Sequence, residues 1–294
     1  YQPRRLVRTA SFCNCHNMST VPMPDMFVAP NTPDSTASTV AVCDTSSTEA
    51  DDTPLTLTSF LQAQGASETL LQSGCRELAC FQVRDMLEDV FGPHLFPRVR
   101  IWQYGSAALD IFGGAGSDVD LAILLPRDLD KREYQAAIYR TLSHTEVSDL
   151  TVVDGMNSLI SFNWCPHGSG TTPTPFDLHL EAFPLSNLPQ SIDDLANFDD
   201  LYSSIEFQSQ RRTLAALRIP GVIRAAVPAD SCFRQLVLAV KFWAKNRGVY
   251  SNKFGFLGGL AWSVLAARTV QEFPSANLHD LMANFFLMWS EWRW

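Results

Sequence analysis

Residues 104–121 constrain the fold of this chain most strongly, because a glycine-rich loop there joins two segments with strand character. The segment before the loop alternates apolar and polar residues, and the segment after it, 118–125, is mostly apolar and followed by a proline. Side chains alternate along a strand, so we predict Asp118 and Asp120 on one face while Val119 points to the core. Two carboxylates then share one side of a sheet.

The two aspartates and the Gly105-Ser106 turn together predict a phosphate site that uses a divalent metal. Like charges this close repel one another unless a cation lies between them, and hard cations such as Mg²⁺ prefer oxygen ligands. Gly105 lets the backbone approach a phosphate closely, and the Ser106 hydroxyl and nearby N–H groups can donate to its oxygens. Without this turn, Asp118 and Asp120 would be better explained as solvated residues on an edge strand.

A third carboxylate is expected on a later strand, because two-metal phosphoryl transfer usually needs one. In the alternating segment 176–183, the apolar residues are expected to face the core, and Asp177, His179 and Glu181 the opposite side. Spacing alone allows any of the three to be the ligand. We expect His179 and Glu181 to be surface residues of the strand.

The chain divides by composition into three regions. Residues 1–54 are rich in Ser, Thr, Pro and Asp and have no helical or strand periodicity, so we expect a disordered tail. Residues 55–225 mix helical and strand patterns and predict a catalytic domain of the α/β or α+β class. Residues 226–294 are mostly helical and predict part of a second domain.

Periodicity and turn residues predict the individual elements. The predicted strands are 99–104, 118–125, 151–153, 158–163 and 176–183. The predicted helices are two before Gly92-Pro93, one at 131–142, one from a cap at Asp230 or Ser231 to Gly248, and two at 258–273 and 278–288.

Charge and cysteine content exclude several classes of protein. A formal net charge of −9 argues against a protein that coats nucleic acid, since such binding relies on Lys and Arg. Residues 230–294 carry 7 basic against 4 acidic residues, so the acidity belongs to the rest of the chain. No apolar stretch reaches the roughly 18–20 residues of a membrane helix, and the irregularly spaced cysteines give no disulfide framework.

The motifs resemble those of a known enzyme superfamily. Gly-Ser, then Asp-x-Asp, then a single Asp on a later strand is the signature of the polymerase-beta-like nucleotidyltransferases. The C-terminal third is similar to the eukaryotic nuclear poly(A) polymerases, and the resemblance covers about residues 60–294. The segments that carry this closer similarity are 241–252, 255–262, 265–268 and 285–294.

The resemblance implies roles for particular residues. The implied ligands of two Mg²⁺ ions, with Mn²⁺ as an alternative, are Asp118, Asp120 and Asp177, so the resemblance selects Asp177 over Glu181. The residues implied to contact the nucleotide are Tyr104, Gly105 and Ser106 at the triphosphate, Lys241 and Tyr250 at the incoming ATP, and Gly259 and Leu260, where the backbone can approach closely.

The resemblance also implies a function. The chain would be a template-independent polynucleotide adenylyltransferase that adds AMP from ATP to the 3′ end of RNA, as in mRNA polyadenylation. ATP and an RNA 3′ end would be its partners, with 3′-end processing factors, in the nucleus and without a membrane. The family continues past Trp294, so the helical central domain is expected to be truncated here.

Two alternatives stay open at this point. Ala215 stands where the family usually has an asparagine that contacts the nucleotide, which allows a nucleotidyltransferase of the same fold with altered nucleotide or acceptor preference. The other alternative is an inactive paralogue that acts as a scaffold in RNA processing, although all three carboxylates are present. The histidines expected in loops or on the surface are His144, His167, His179 and His279.

Overall fold

The computed structural model describes residues 56–114, 116–153, 158–165, 173–186, 188–189, 202 and 205–293. Its helices are α1 (Leu57–Ala63), α2 (Leu70–Leu95), α3 (Lys131–Ser143), α4 (Gln208–Ala226), α5 (Phe233–Asn246), α6 (Gly259–Glu272) and α7 (Leu278–Glu291). Its strands are β1 (Arg100–Gln103), β2 (Val119–Leu125), β3 (Val147–Val153), β4 (Leu159–Trp164) and β5 (Thr174–Ala182). The predicted tail at 1–54 and the predicted position of His167 lie outside the described residues.

The strands form one mixed sheet in the order β1-β2-β5-β4-β3. β2 and β5 run parallel, whereas the other neighbouring pairs run antiparallel. A parallel pair needs a long crossover, and α3, β3 and β4 supply it along the chain. This topology confirms the predicted mixture of helices and strands, and it places the two aspartate-bearing strands next to each other.

One face of the sheet packs against α2 and α3. The β2 and β5 residues that point to this side are Val119, Leu121, Ile123 and Leu125 from β2, and Phe176, Leu178 and Leu180 from β5. A capping box formed by Thr69 and Gln72 starts α2, which satisfies backbone N–H groups that a helix start leaves open. The helix bends at Gly92, whose φ of 70° only glycine adopts readily, and continues to Leu95.

The other face of the sheet is covered by α4, which the sequence patterns did not predict. Ala122 and Leu124 on the sheet pack with Leu214 and Leu217 on this helix. Pro220 lies inside α4 and is buried, although a proline usually interrupts a helix because it lacks an N–H group. Because a proline here is typical of a helix boundary, the local pattern gave no sign of a helix that runs through it.

Burial by α4 overturns the expectation that His179 and Glu181 are surface residues. His179 and Glu181 are only 6% and 5% exposed. The His179 Nε2 atom lies 3.0 Å from the Thr213 hydroxyl of α4, and burial lowers the pKa of His179. Glu181 accepts a hydrogen bond of 3.1 Å from the Lys131 ammonium group. Both side chains therefore satisfy their polar atoms inside the protein rather than in water.

The C-terminal helices α5, α6 and α7 form a second core together with α1. The fully buried side chains of this core include Leu236, Val237 and Val240 from α5, Ala266 and Val270 from α6, and Leu281 and Phe285 from α7. Leu61 of α1 is buried in the same cluster. Among the helices described, none combines the length and apolar character that a membrane crossing requires.

The ends of α5 show one confirmed and one wrong prediction. Gly248 has a φ of 69° directly after the C-cap residue Arg247, as predicted for a helix-ending glycine. The N-cap is Cys232, not Asp230 or Ser231. The Ser231 hydroxyl instead donates to the Pro228 carbonyl at 2.6 Å, so it serves the preceding turn.

The glycine-rich loop after β1 packs against the helical core. Leu109 and Ile111 of this loop are buried in the cluster of α5, α6 and α7. A Cβ atom on Gly114 would lie only 1.9 Å from the Gly65 carbonyl oxygen, so no larger residue fits there. Arg234 of α5 forms an ion pair with Asp110 of the loop. The loop therefore fixes the sheet relative to the helices around it.

Leu87→Ala should destabilise the protein strongly. Leu87 lies on α2 and is completely buried in the core between this helix and the sheet. Truncation therefore removes apolar contact and leaves a cavity. We expect the free energy of unfolding, measured by urea denaturation, to fall by about 2–5 kcal/mol. Leu71→Ala is the matched control, because Leu71 lies exposed on the same helix and should change stability by less than about 0.5 kcal/mol. Equal losses in both variants would contradict this packing.

Candidate active site

Strand pairing brings the predicted third carboxylate next to the Asp-x-Asp motif. Asp120 of β2 is paired with Asp177 of β5 in the parallel register, and neighbouring strands lie about 4.8 Å apart. Asp118 directly precedes β2, so it is two residues from Asp120 along the chain. The structure thus brings together the three aspartates that the sequence singled out, on the side of the sheet where α4 also lies.

Burial and neighbouring carboxylates raise the pKa of Asp118 and of Asp120. Burial and the charges of Asp177 and Asp118 together raise the pKa of Asp120 to about 7. Burial also raises the pKa of Asp118, with Asp177 as the second cause. The Tyr104 hydroxyl lies in the same field, because burial, Asp120 and Asp177 all raise its pKa. The site therefore concentrates negative charge, which the charges of Lys241 and Lys245 offset only in part.

The donor chemistry of this site fits a divalent cation. Carboxylate oxygens are the ligands that Mg²⁺ prefers, and a cation would offset the surplus charge that raises the two pKa values. In the described part of the chain, however, no three His, Cys, Asp or Glu side chains are already oriented to hold one ion. The backbone places the carboxylates, and their side chains would have to turn inward to form a ligand shell.

The predicted Gly105-Ser106 turn lies directly over Asp120. The Tyr104 N–H group donates to the Asp120 carbonyl oxygen at 3.1 Å, which joins the end of β1 to the start of β2. Gly105 has a φ of 65°, and a Cβ atom there would lie 2.5 Å from the Asp120 Oδ2 atom. The Ser106 carbonyl accepts bonds from Leu109 and Ile111, so the turn is fixed by backbone hydrogen bonds. Only glycine fits between this turn and the carboxylate.

Lys241, Tyr250 and Gly259 meet at one point. A Cβ atom built on Gly259 would lie 3.1 Å from the Tyr250 hydroxyl oxygen and 3.5 Å from the Lys241 Nζ atom. Burial and the charge of Lys245 lower the pKa of Lys241 to about 8, although Asp120 acts in the opposite direction. Burial and Asp118 raise the pKa of Tyr250. Lys241 and Tyr250 of the helical part therefore interact electrostatically with the carboxylates of the sheet.

The start of α6 offers backbone donors beside the same point. Gly258 is the N-cap and has no side chain to satisfy the first N–H groups of the helix, which begins at Gly259. Such a helix end attracts anions through its N–H groups and its dipole. Leu260, the second residue of the helix, is 51% exposed, so its backbone and side chain are accessible to a ligand.

The sequence analysis missed Lys245 as a site residue. Lys245 follows Lys241 by one helical turn, so both side chains leave α5 on the same side. Its Nζ atom lies 5.4 Å from the centroid of the Tyr250 ring, and its charge lowers the pKa of Asp118. The spacing of four residues between two lysines on a helix was the signal that could have found it.

The remaining predicted histidines have no part in the site. His144 and His279 are exposed, which confirms their expected surface positions. His179 is buried under α4 and hydrogen bonded there, so the prediction of a surface position was wrong. Its role is in packing. Ala215 lies half-buried on α4 and brings no polar group to any ligand.

Two solved polymerase structures share this fold. The polymerase core of TRAMP, an RNA surveillance complex, superposes with a TM-score of 0.50 at 16% identity and covers 80% of this chain and 62% of that one. The Cid1 poly(U) polymerase bound to MgATP superposes with a TM-score of 0.51 at 12% identity and covers 81% of this chain and 74% of that one. The chain therefore has the fold of the polymerase-beta-like nucleotidyltransferases, which generally use divalent metal ions.

Sequence comparison finds relatives of one kind, the poly(A) polymerases. Residues 232–294 match the poly(A) polymerase central domain. Poly(A) polymerase PAPa of Candida albicans is 28% identical over 199 residues, covering 66% of this chain and 34% of the relative. Nuclear poly(A) polymerase 1 of Arabidopsis thaliana is 32% identical over 198 residues, covering 66% of this chain and 26% of the relative. The chain is similar to eukaryotic poly(A) polymerases over 66% of its own length and spans about a quarter to a third of these relatives' length.

Asp120→Asn should stabilise the metal-free protein above neutral pH. The fold raises the pKa of Asp120 from its ordinary value of 3.8 to about 7. The folded state therefore holds a proton that the unfolded chain has released, and the free energy of unfolding falls as pH rises from about 4 to about 7. At pH 8 in a chelator, urea denaturation should show the variant more stable by about 1–3 kcal/mol. Near pH 4 the two proteins should differ little.

Asp128→Asn is the control for this experiment. Asp128 is exposed and hydrogen bonded to Arg98, which lowers rather than raises its pKa. This variant should gain no stability at pH 8. If Asp120→Asn gave the same gain at pH 4 and pH 8, repulsion among the carboxylates would not be its cause.

Gly105→Ala should destabilise the protein, whereas Gly74→Ala should stabilise it. Alanine at position 105 would need a φ of 65° and would force its Cβ atom against Asp120. We expect a loss of about 1–3 kcal/mol in the free energy of unfolding. Gly74 lies within α2 with nothing within 4 Å of a Cβ atom, so alanine there should add about 0.5–1 kcal/mol. A gain in both variants would show that the turn does not lie over the carboxylate.

Proposed function

We propose that this chain is the nucleotidyltransferase part of a template-independent poly(A) polymerase, which transfers AMP from ATP to the 3′ end of RNA. One observation carries the proposal: the aspartates of β2 and β5 lie across from two lysines and a helix start. The charge of Lys245 lowers the pKa of Asp118, and the charge of Lys241 lowers the pKa of Asp120, against the larger effect of burial in each case. A triphosphate with its bound metal ions carries both negative and positive charge, so it fits between lysines on one side and carboxylates on the other.

Lys241 and Lys245 form one side of the site, the lysine wall, which would bind the triphosphate. Lys241 keeps its positive charge at neutral pH, because its pKa is about 8, and it lies beside the N–H groups that begin α6. Lys245 adds a second cation one turn further along α5. Positioned cations and N–H groups stabilise the negative charge that develops on the phosphate oxygens during transfer. Tyr250 packs against this point and would orient the nucleoside.

Asp118, Asp120 and Asp177 form the other side, the carboxylate wall, which would hold the reacting groups in line. Mg²⁺ held by Asp118, Asp120 and Asp177 would favour the ionised form of the attacking 3′-hydroxyl and neutralise charge on the leaving pyrophosphate. The 3′-oxygen forms a bond to the α-phosphorus while the bond to pyrophosphate breaks, and the hydroxyl proton leaves to solvent. The Gly105-Ser106 turn, fixed above Asp120, would support the phosphates through its backbone. Little acid–base machinery is required of the protein.

The family relatives support ATP as the nucleotide and RNA as the acceptor. Both curated relatives described above are named as poly(A) polymerases, and one is named as nuclear. We therefore infer a nuclear role in mRNA 3′-end formation, together with 3′-end processing factors. A scaffold role gains no support from the site, since all three carboxylates are in place. The names of the relatives favour ATP over an altered nucleotide preference. Ala215 lacks the polar side chain of the asparagine usual in the family, but Lys241 and Lys245 can bind the triphosphate without it.

Primer extension tests the proposed function. The 294-residue protein, a labelled RNA primer and Mg²⁺ or Mn²⁺ should give products with ATP and far fewer with GTP, CTP or UTP. Asp177→Asn should reduce the rate at least about a thousandfold, because metal-held charge stabilisation contributes several kcal/mol. Asp128→Asn, an exposed aspartate outside the site, should keep the wild-type rate. Failure to extend with any nucleotide would reject the proposal, and comparable use of UTP or CTP would support altered preference instead.

A further inference from the structure

A long part of the helical region is basic and contains no acidic residue. Residues 231–271 have no Asp or Glu, and their Lys and Arg residues are Arg234, Lys241, Lys245, Arg247, Lys253 and Arg268. The whole chain, in contrast, has a formal net charge of −9. A one-sided charge distribution of this kind attracts a polyanion to one face of the molecule.

Two of these basic residues lie beside or within one loop. Arg234 pairs with Asp110 and Arg268 pairs with Glu272, whereas Lys241 and Lys245 lie in the nucleotide site. The remaining two are exposed: Arg247 precedes the loop 251–257, and Lys253 belongs to it. Their charge is therefore available to a ligand that approaches this loop.

The loop presents aromatic rings to solvent. Phe254 is 77% exposed and Phe256 is 44% exposed, although large apolar side chains usually find cover. Backbone hydrogen bonds fix the loop: Ser251 donates to the Leu257 carbonyl at 3.2 Å, and Phe254 donates to the Ser251 carbonyl at 3.1 Å. The rings are thus held outward by a closed turn and not by a loose segment.

The base of the loop is the proposed nucleotide site. Tyr250 precedes the loop and Gly259 follows it, and these two residues meet at Lys241. Phe254 is four residues from Tyr250, so it lies at most about 14 Å from it along the chain. When the 3′-hydroxyl of a primer reaches the carboxylates, the last few nucleotides of the primer would lie close enough to contact this loop.

We propose that the loop 251–257 is a stacking platform for RNA bases next to the primer 3′ end, with Phe254 as its main contact. Lys253 and Arg247 bind the neighbouring phosphates. Exposed aromatic rings beside basic side chains are the combination that single-stranded nucleic acid recognises, because every base offers a π-face and every linkage a negative charge. Such stacking tolerates any sequence, which suits an enzyme that works on different RNA ends. The proposal rests on the proposed function.

Phe254→Ala tests the platform, and Phe254→Trp and Phe81→Ala are its controls. Stacking on a side chain accounts for roughly a five- to hundredfold affinity difference per base, so we expect the KM for the RNA primer to rise about tenfold in Phe254→Ala. The KM for ATP should change less than twofold. Tryptophan keeps a stacking surface and should retain the wild-type primer KM. Phe81 is an exposed phenylalanine on α2, and its removal should leave the primer KM unchanged.

A binding measurement without catalysis separates this proposal from the proposed function. Fluorescence anisotropy with labelled oligoadenylate, in EDTA and without nucleotide, should show about tenfold weaker binding for Phe254→Ala. Lys253→Gln should reduce the slope of log affinity against log salt by about 0.7, the value for one phosphate contact on a single strand. Equal binding by wild type and Phe254→Ala, no binding by wild type, or an equal loss in Phe81→Ala would overturn the platform. If this loss appears in a protein that extends no primer, the platform stands and the proposed function falls.

Discussion

The parallel pairing of β2 with β5 is the constraint on which the rest of the structure depends. It places Asp120 and Asp177 side by side, although their like charges oppose this and raise the pKa of Asp120. Burial on both faces of the sheet stabilises the pairing against that repulsion. α2 and α3 cover one face and α4 covers the other. The fold therefore stabilises a concentration of negative charge that favours a cation.

The helical region completes the site from the opposite side. Its position relative to the sheet depends on the glycine-rich loop, whose Leu109 and Ile111 are buried in the helical core and whose Asp110 pairs with Arg234. Once the two parts are fixed in this way, Lys241 lies close enough to Asp120 for their charges to interact. A site with carboxylates on one side and lysines on the other suits a metal-bound triphosphate, and the basic loop 251–257 extends the same charge pattern towards RNA.

Local patterns in the sequence predicted most elements but not how they are covered. The strands and the helices α3, α5, α6 and α7 could be predicted because their apolar periodicity is regular. α4 was missed because Pro220 interrupts the usual helix signal. The burial of His179 and Glu181 could not be predicted from β5, since the covering residue Thr213 comes from α4. Of the site residues, Lys245 was overlooked although its spacing from Lys241 was visible.

The sequence by itself determined the chemistry of this protein: aspartates in an alternating pattern, a glycine where the backbone needs a positive φ, and lysines on one side of a helix. These are local properties, because side-chain type, strand alternation and helical spacing depend on neighbouring residues only. The tertiary structure alone decided that Asp177 pairs with Asp120, that Lys241 and Gly259 meet at Tyr250, and that Glu181 is buried. Those contacts join distant parts of the chain, and they exist only because packing of the whole core determines which segments lie together.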